Sequence, residues 1–474
     1  MTDTLPFTLP ALRAAYDAGL QPEEIIAQAF ARLDAVDDPG ILIHDARDAA
    51  MTAARALGPR DDRPLWGVPF VVKDNIDVAG MPTTAGCPDF SYLAEADAFV
   101  VARLRAAGAI CLGKANLDQF ATGLVGLRTP YPAPLNALDP GIVPGGSSSG
   151  SAVAVAHGIA AFSLGTDTAG SGRVPGALNG IVGLKPSLGA LSASGMIPAC
   201  RTLDTISIFA MTTADAFEVF SIAQAEDPAD AYSRAFPAPG LSLLPPRVRI
   251  AVPTSGSLVT DGDADQAESF HATLARLHAL GAEIVELDFA PFYEVARLLY
   301  DGAWVAERTA ALGARLTDKP ETLHPVTRQI VAAGLNLSAV DAFRAQYRLA
   351  ALKKTCARLM EAIDILCVPT IPRFVTTAEI AEDPIGPNAL LGTYTNFVNL
   401  LDMSGIAVPC GLRRDSRPAS VTFLGRAGAD ALVAAAAMLV EDGPMGATDW
   451  SRPVARPLQA TPADDPTTVF GKTG

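Results

Sequence analysis

Residues 144–188, PGGSSSGSAVAVAHGIAAFSLGTDTAGSGRVPGALNGIVGLKPSL, constrain this chain more than any other stretch. Two loops of small residues, Gly145-Gly146-Ser147-Ser148-Ser149-Gly150 and Gly165-Thr166-Asp167-Thr168-Ala169-Gly170-Ser171-Gly172, flank an apolar run over residues 152–164. The run is long enough for about three helical turns. Glycine lets successive backbone amides converge on one point and lets a small ligand approach them. Hydroxyls are the reactive groups that remain, so the stretch reads as a site for a small molecule.

The rest of the chain supports a large α/β enzyme. Of 474 residues, 49% are hydrophobic and 18% charged, a balance that builds a core and excludes a disordered chain. A net charge of −15 gives no basic footprint for nucleic acid, so a small anionic substrate needs a local arginine. Six scattered cysteines without a C-x-x-C pair point to reduced, buried thiols and a cytoplasmic protein. The first residues, MTDTLPFTLPALRAAYDAG, lack the basic flank and apolar core of a signal peptide, and no membrane span is expected. No H-E-x-x-H or C-x-x-C signature is present, so neither metal nor organic cofactor is expected.

Apolar runs mark strands at 67–72, 109–112, 203–211, 248–253, 283–289, 364–370 and 420–424, with helices expected at 95–107, 213–225, 263–280 and 292–316. Gln21-Pro22-Glu23-Glu24 opens a further amphipathic helix. Strands and helices alternate, which predicts a central mixed, twisted sheet covered by helices on both faces. Residues 1–452 read as one large domain, and 453–474 as a Pro/Thr-rich tail with no additional C-terminal domain. The first strand delivers Lys73-Asp74-Asn75 at its end, where open α/β sheets carry functional groups.

Three chemistries compete for the central stretch. Gly146-Ser147-Ser148-Ser149-Gly150 fits G-x-S-x-G, with Ser148 as the nucleophile, but a nucleophile elbow follows a strand and here a Pro-rich loop leads in. The same loop lacks the lysine of a phosphate-binding P-loop. The third is a serine hydrolase that uses lysine in place of histidine. Here the motifs resemble the amidase signature family: the two loops, then Gly183-Leu184-Lys185-Pro186, together with Lys73 in VVKDN. That resemblance implies Ser171 as nucleophile, Ser147 as the bridging serine after a cis peptide bond, and Lys73 as base. Thr168, Ala169 and Gly170, with Ser171, then offer backbone N–H groups to an oxyanion. Ser148, Ser149 and Ser151 read as loop hydrogen-bonders, Lys114 and Lys185 as structural, and Asp167 and Arg173 as braces.

Within that family, residues 198–209, the pair Tyr300 and Arg308, and residues 391–402 are similar to the allophanate hydrolase branch. The resemblance implies that Arg308 clamps a substrate carboxylate and Tyr300 bonds its urea portion. On one helix, eight residues is a little over two turns and puts both on one side; ordinary surface pairing with Glu307 or Asp301 is the alternative. The expected substrate is a small anionic amide, the expected assembly a homodimer. Another small-amide hydrolase, or an ammonia-supplying subunit like that of the tRNA amidotransferases, stays open at this point.

Overall fold

The computed structural model describes residues 5–442 apart from 238–239, 242–243 and 246. The expected tail at 453–474 lies outside the described residues. Among the described residues thirteen strands occur in chain order: β1 Leu42–Asp45, β2 Pro69–Lys73, β3 Pro82–Thr83, β4 Tyr92–Leu93, β5 Ile110–Ala115, β6 Phe162–Asp167, β7 Val182–Lys185, β8 Thr205–Ala210, β9 Arg249–Pro253, β10 Glu283–Leu287, β11 Ile365–Pro369, β12 Met403–Leu412 and β13 Pro418–Arg426. β3 and β4 form a hairpin apart, and the other eleven make one sheet in the order β1-β5-β2-β6-β8-β7-β12-β13-β11-β9-β10.

The sheet is mixed. β2 runs parallel to β5 and β6, and β9 parallel to β10 and β11, while β6–β8, β8–β7, β7–β12 and β12–β13 are antiparallel. Central strands such as PFVVK and TISIFA are buried along their whole length, the pattern of strands covered on both sides. Helices flank the sheet. Pro22–Val36 opens with a capping box between Gln21 and Glu24, and buries Ile25, Ile26, Ala29 and Phe30 at helical spacing.

Two expected helices divide. The run over 152–164 takes in the second half of the helix Ser149–Ala156, a turn through Gly158 at φ +63°, and the start of β6 at Phe162. An apolar run that is buried on all sides carries no periodicity to tell helix from strand. The region 292–316 divides at Gly302 into the helices Ala290–Asp301 and Trp304–Leu312, with a short helix Arg315–Asp318 beyond. Tyr300 and Arg308 therefore belong to different helices, which corrects the single-helix geometry. From 122 to 148 the chain has no helix or strand, as its prolines predict. All six cysteines are free, and five are buried.

Because β2 and β6 are parallel neighbours, their carboxyl ends lie together. Lys73 is the last residue of β2 and Asp167 the last of β6, so the loop from Thr168 to Ser171 starts beside Lys73.

Candidate active site

Lys73 is fully buried. Three hydroxyl oxygens surround its Nζ: Thr166 Oγ1 at 2.6 Å, Ser147 Oγ at 2.8 Å and Ser148 Oγ at 2.9 Å. An ammonium has three N–H donors and satisfies all three hydroxyls; a neutral amine has two and turns its lone pair towards the third. Burial draws the Lys73 pKa down to about 7, against the pull of Asp118, Asp204 and Asp167. Ser148 is itself held by Thr166, accepting from its N–H and donating to its C=O, both at 3.2 Å. Ser149 and Ser151 hydrogen-bond to the carbonyls of Asn116 and Leu164.

The peptide bond between Gly146 and Ser147 is cis. Gly146 has no room for a side chain, since a Cβ there would meet Asp118 Oδ2 at 2.0 Å. Asp118 accepts the N–H groups of Gly126 and Arg128, while its own N–H donates to Ser147 C=O at 3.0 Å. This carboxylate thus shapes the serine loop and holds negative charge near Lys73.

Ser171 is 2% exposed, with its Oγ 3.5 Å from Gly123 O. The loop before it is held from outside. Thr395 Oγ1 donates to Ala169 O at 2.6 Å, and Asn399 Nδ2 donates to Asp167 O at 2.9 Å. Inside the loop, Asp167 receives a bidentate pair from Arg173, Nε and Nη2 each at 2.9 Å. Burial opposes ionisation of Asp167, yet Arg173 holds it below the usual carboxylate range. Asp167 also accepts the N–H groups of Gly170 and Gly172 at 3.0 Å. The Gly170 N–H is therefore engaged inside the loop, while those of Thr168, Ala169 and Ser171 have no protein acceptor among the described residues.

Arg308 is 2% exposed. Its Nη1 donates to Thr122 Oγ1 at 3.2 Å, its Nε has no hydrogen-bond partner, and its guanidinium carbon lies 5.4 Å from the centre of the Tyr300 ring. Among the described residues no carboxylate pairs with it within 4.0 Å. The surface alternative does not hold: Glu307 instead accepts from Thr202 N and Oγ1 at 2.7 and 2.8 Å. Tyr300 and Arg308 thus meet across the break at Gly302. Thr122 and Gly123 are consecutive, so Arg308 and Ser171 rest on adjacent residues of one loop.

Asp204 joins these parts. It accepts Thr168 Oγ1 and the N–H groups of Ala199 and Cys200, and burial pushes its pKa up to about 6, with Thr168 and Arg308 among the groups that counter this. Thr166 in β6, and Asp118 and Asp204 in loops, are neighbours of this site that sequence reasoning does not reach, because a lone hydroxyl or carboxylate carries no local pattern. Lys114 is paired with Asp74 at 3.3 Å and Lys185 donates to Pro186 O at 2.7 Å, both in structural settings. Among the described residues no group of three or more His, Cys, Asp or Glu is placed to hold a metal ion.

A buried lysine below its ordinary pKa, in contact with a serine, beside a loop in which three backbone N–H groups have no protein acceptor among the described residues, suits acyl transfer. The amidase family profile matches residues 24–434, so the chain belongs to the amidase family. It is 46% identical to the urea amidolyase of Saccharomyces cerevisiae over 370 residues, 77% of this chain. That match covers only 20% of the relative, so the chain spans about a fifth of the length of the urea amidolyases it resembles. The allophanate hydrolase of Kluyveromyces lactis superimposes with a TM-score of 0.87 at 37% identity, covering 93% of this chain and 73% of that one. A glutamyl-tRNA(Gln) amidotransferase component of Nitratidesulfovibrio vulgaris is 34% identical, with 86% of this chain and 90% of that one matched. Among the described residues no helix is long and apolar enough to cross a membrane.

Proposed function

We propose that this chain hydrolyses allophanate, a urea that bears a carboxylate, through an acyl-enzyme on Ser171. The observation that carries the reading is Arg308, a buried guanidinium with no carboxylate partner among the described residues, one loop residue away from the contact of Ser171. A buried cation is costly unless it is paired, and a planar fork matches a substrate carboxylate with two parallel hydrogen bonds. Tyr300 lines the same corner. The similarity to urea amidolyases and to allophanate hydrolase supports this substrate over other small amides.

In the proposed reaction, neutral Lys73 accepts the proton of Ser147 Oγ as Ser147 takes that of Ser171. The freed Ser171 oxygen attacks the terminal amide carbon, and charge builds on the carbonyl oxygen. Thr168, Ala169 and Ser171 N–H groups receive that charge; one such donor is commonly worth about 10²–10³ in rate. The relay returns a proton to the leaving nitrogen, ammonia departs, and the carbonyl carbon stays on Ser171 as a carbamoyl ester. Water, deprotonated by the same relay, attacks that ester and releases N-carboxycarbamate. Burial of the relay excludes bulk water and keeps the lysine pKa low.

The proposal includes a cytoplasmic homodimer and a single catalytic domain over residues 1–452, the latter supported by one sheet that takes strands from Leu42 to Arg426. The test is ammonia release from allophanate beside malonamate, biuret, glutamine and an aliphatic amide, with Ser171→Ala as the blank. Preference for allophanate that disappears in Arg308→Ala supports the reading. Equal turnover of neutral amides, or turnover of glutamine alone, overturns it.

A further inference from the structure

The turn from Ala199 to Asp204 touches both halves of the site. On one side Asp204 accepts Thr168 Oγ1, and Asn399 Nδ2 donates to Leu203 O and to Asp167 O, both at 2.9 Å, so the turn is tied to the loop that ends in Ser171. On the other side it is tied to the helix Trp304–Leu312. Cys200 Sγ contacts Trp304 O at 3.6 Å, and Thr202 gives both its N–H and its hydroxyl to Glu307. Glu307 directly precedes Arg308. The turn itself is closed by N–H groups of Leu203 and Asp204 on Cys200 O at 2.8 and 2.9 Å, and by the N–H groups of Ala199 and Cys200 on the Asp204 carboxylate.

We infer that this turn is a spacer that sets the distance between the Arg308 guanidinium and the oxyanion loop, and thereby selects amides by the length between carboxylate and reacting carbonyl. The inference rests on the reading of Arg308 as the carboxylate clamp. A two-point grip by a carboxylate on a backbone N–H and a hydroxyl is directional, so it fixes the helix along its axis as well as holding it near. Among the described residues neither Glu307 nor Thr202 hydrogen-bonds to Lys73, Ser147, Ser171 or the Arg308 guanidinium. Asp204 is a positioning residue: it acts through Thr168 on one side and through the turn on the other. A substrate longer by one methylene misplaces its carbonyl by over an ångström, enough to cost about 10²-fold when the reacting atoms must be in near contact.

The experiment compares kcat/KM for malonamate, succinamate and neutral propionamide in the parent protein and in the Glu307→Ala and Thr202→Val variants. In the parent, malonamate is expected to exceed both others. Glu307→Ala is expected to lower the malonamate-to-succinamate ratio at least tenfold, chiefly through KM for malonamate, and Thr202→Val by an intermediate factor, while propionamide turnover changes less than twofold. An unchanged ratio in both variants, with parent-like melting curves, overturns the spacer and leaves the clamp standing. Should propionamide turnover fall as far as malonamate turnover, the turn merely supports the catalytic centre and the inference fails. A parent that does not prefer malonamate over propionamide overturns the clamp, and the spacer falls with it. If Glu307→Ala does not fold, Thr202→Val and Glu307→Gln, each removing part of the grip, decide by the same ratio.

Discussion

Lys73 Nζ and Ser147 Oγ are 2.8 Å apart, and both residues are fully buried. Burial holds the lysine near a pKa of about 7, where the neutral amine that the proposed relay requires becomes the main form just above neutrality. We expect kcat/KM for allophanate to rise with pH through about 7 and to level off above. A flat profile from pH 5 to 9, measured by ammonia release, excludes Lys73 as the base.

The same shift affects stability. The Lys73 pKa falls from 10.5 in the unfolded chain to about 7 in the folded one, so the unfolded state binds more protons between these values. Stability contributed by this group therefore rises from pH 7 to 10.5, and below pH 7 the full cost of charging it in the interior applies. Lys73→Met lacks that slope. The difference in Tm between variant and parent should favour the variant most at pH 7 and below, and shrink as the pH is raised to 10.

Ser171→Ala removes the atom that would carry the acyl group. Activity should fall by at least about 10⁴-fold, as in other enzymes whose nucleophile is deleted. A quenched reaction analysed by intact mass should show a transient adduct on the parent and none on the variant; an adduct that persists in Ser171→Ala places the nucleophile elsewhere.

Arg308→Ala deletes a charge-assisted contact, which is worth about 1.5–3 kcal/mol, so kcat/KM for allophanate should drop roughly 10- to 150-fold. Propionamide should be little affected. Arg308→Lys should rescue only in part, because an ammonium cannot form the paired fork. Comparable losses on both substrates would mean that Arg308 supports the fold and not the carboxylate.

Arg173→Met leaves Asp167 charged and without its partner in the interior. Breaking a buried pair on one side costs about 3–5 kcal/mol. Urea unfolding should show the loss as a lower midpoint, and because Asp167 also receives the N–H groups of Gly170 and Gly172, activity should fall at temperatures where the variant is still folded. A parent-like midpoint contradicts the brace.

The residues differ in how much of their role can be read before folding. Lys73 ends an apolar strand and Ser147 and Ser171 sit in loops dense in small residues, and the structure brings Lys73 and Ser147 into contact. Thr166 and Ser148 complete the cradle around Lys73, but other hydroxyl residues stand close to them in sequence, and nothing local distinguishes them. Tyr300 and Arg308 meet for a reason other than helical spacing. Gly302, whose added Cβ would stand 2.3 Å from Leu298 O, ends the first helix, and packing brings the second one back. β7, a four-residue strand, and β12, which holds two glycines and a proline, lack the long apolar run that marks strands such as β2 and β8. The sheet order itself depends on contacts far apart in the chain, such as β8 between β6 and β7, which no window of sequence contains.

The hydroxyls and the lysine of the proposed relay come from strand ends and loops between residues 73 and 171, whereas Tyr300 and Arg308 come from helices between β10 and β11. Mutation can therefore remodel those helices while the residues of the proposed relay are left unchanged. A lineage built on this plan can move from one amide to another by changing the insertion, and the chemistry need not be invented again.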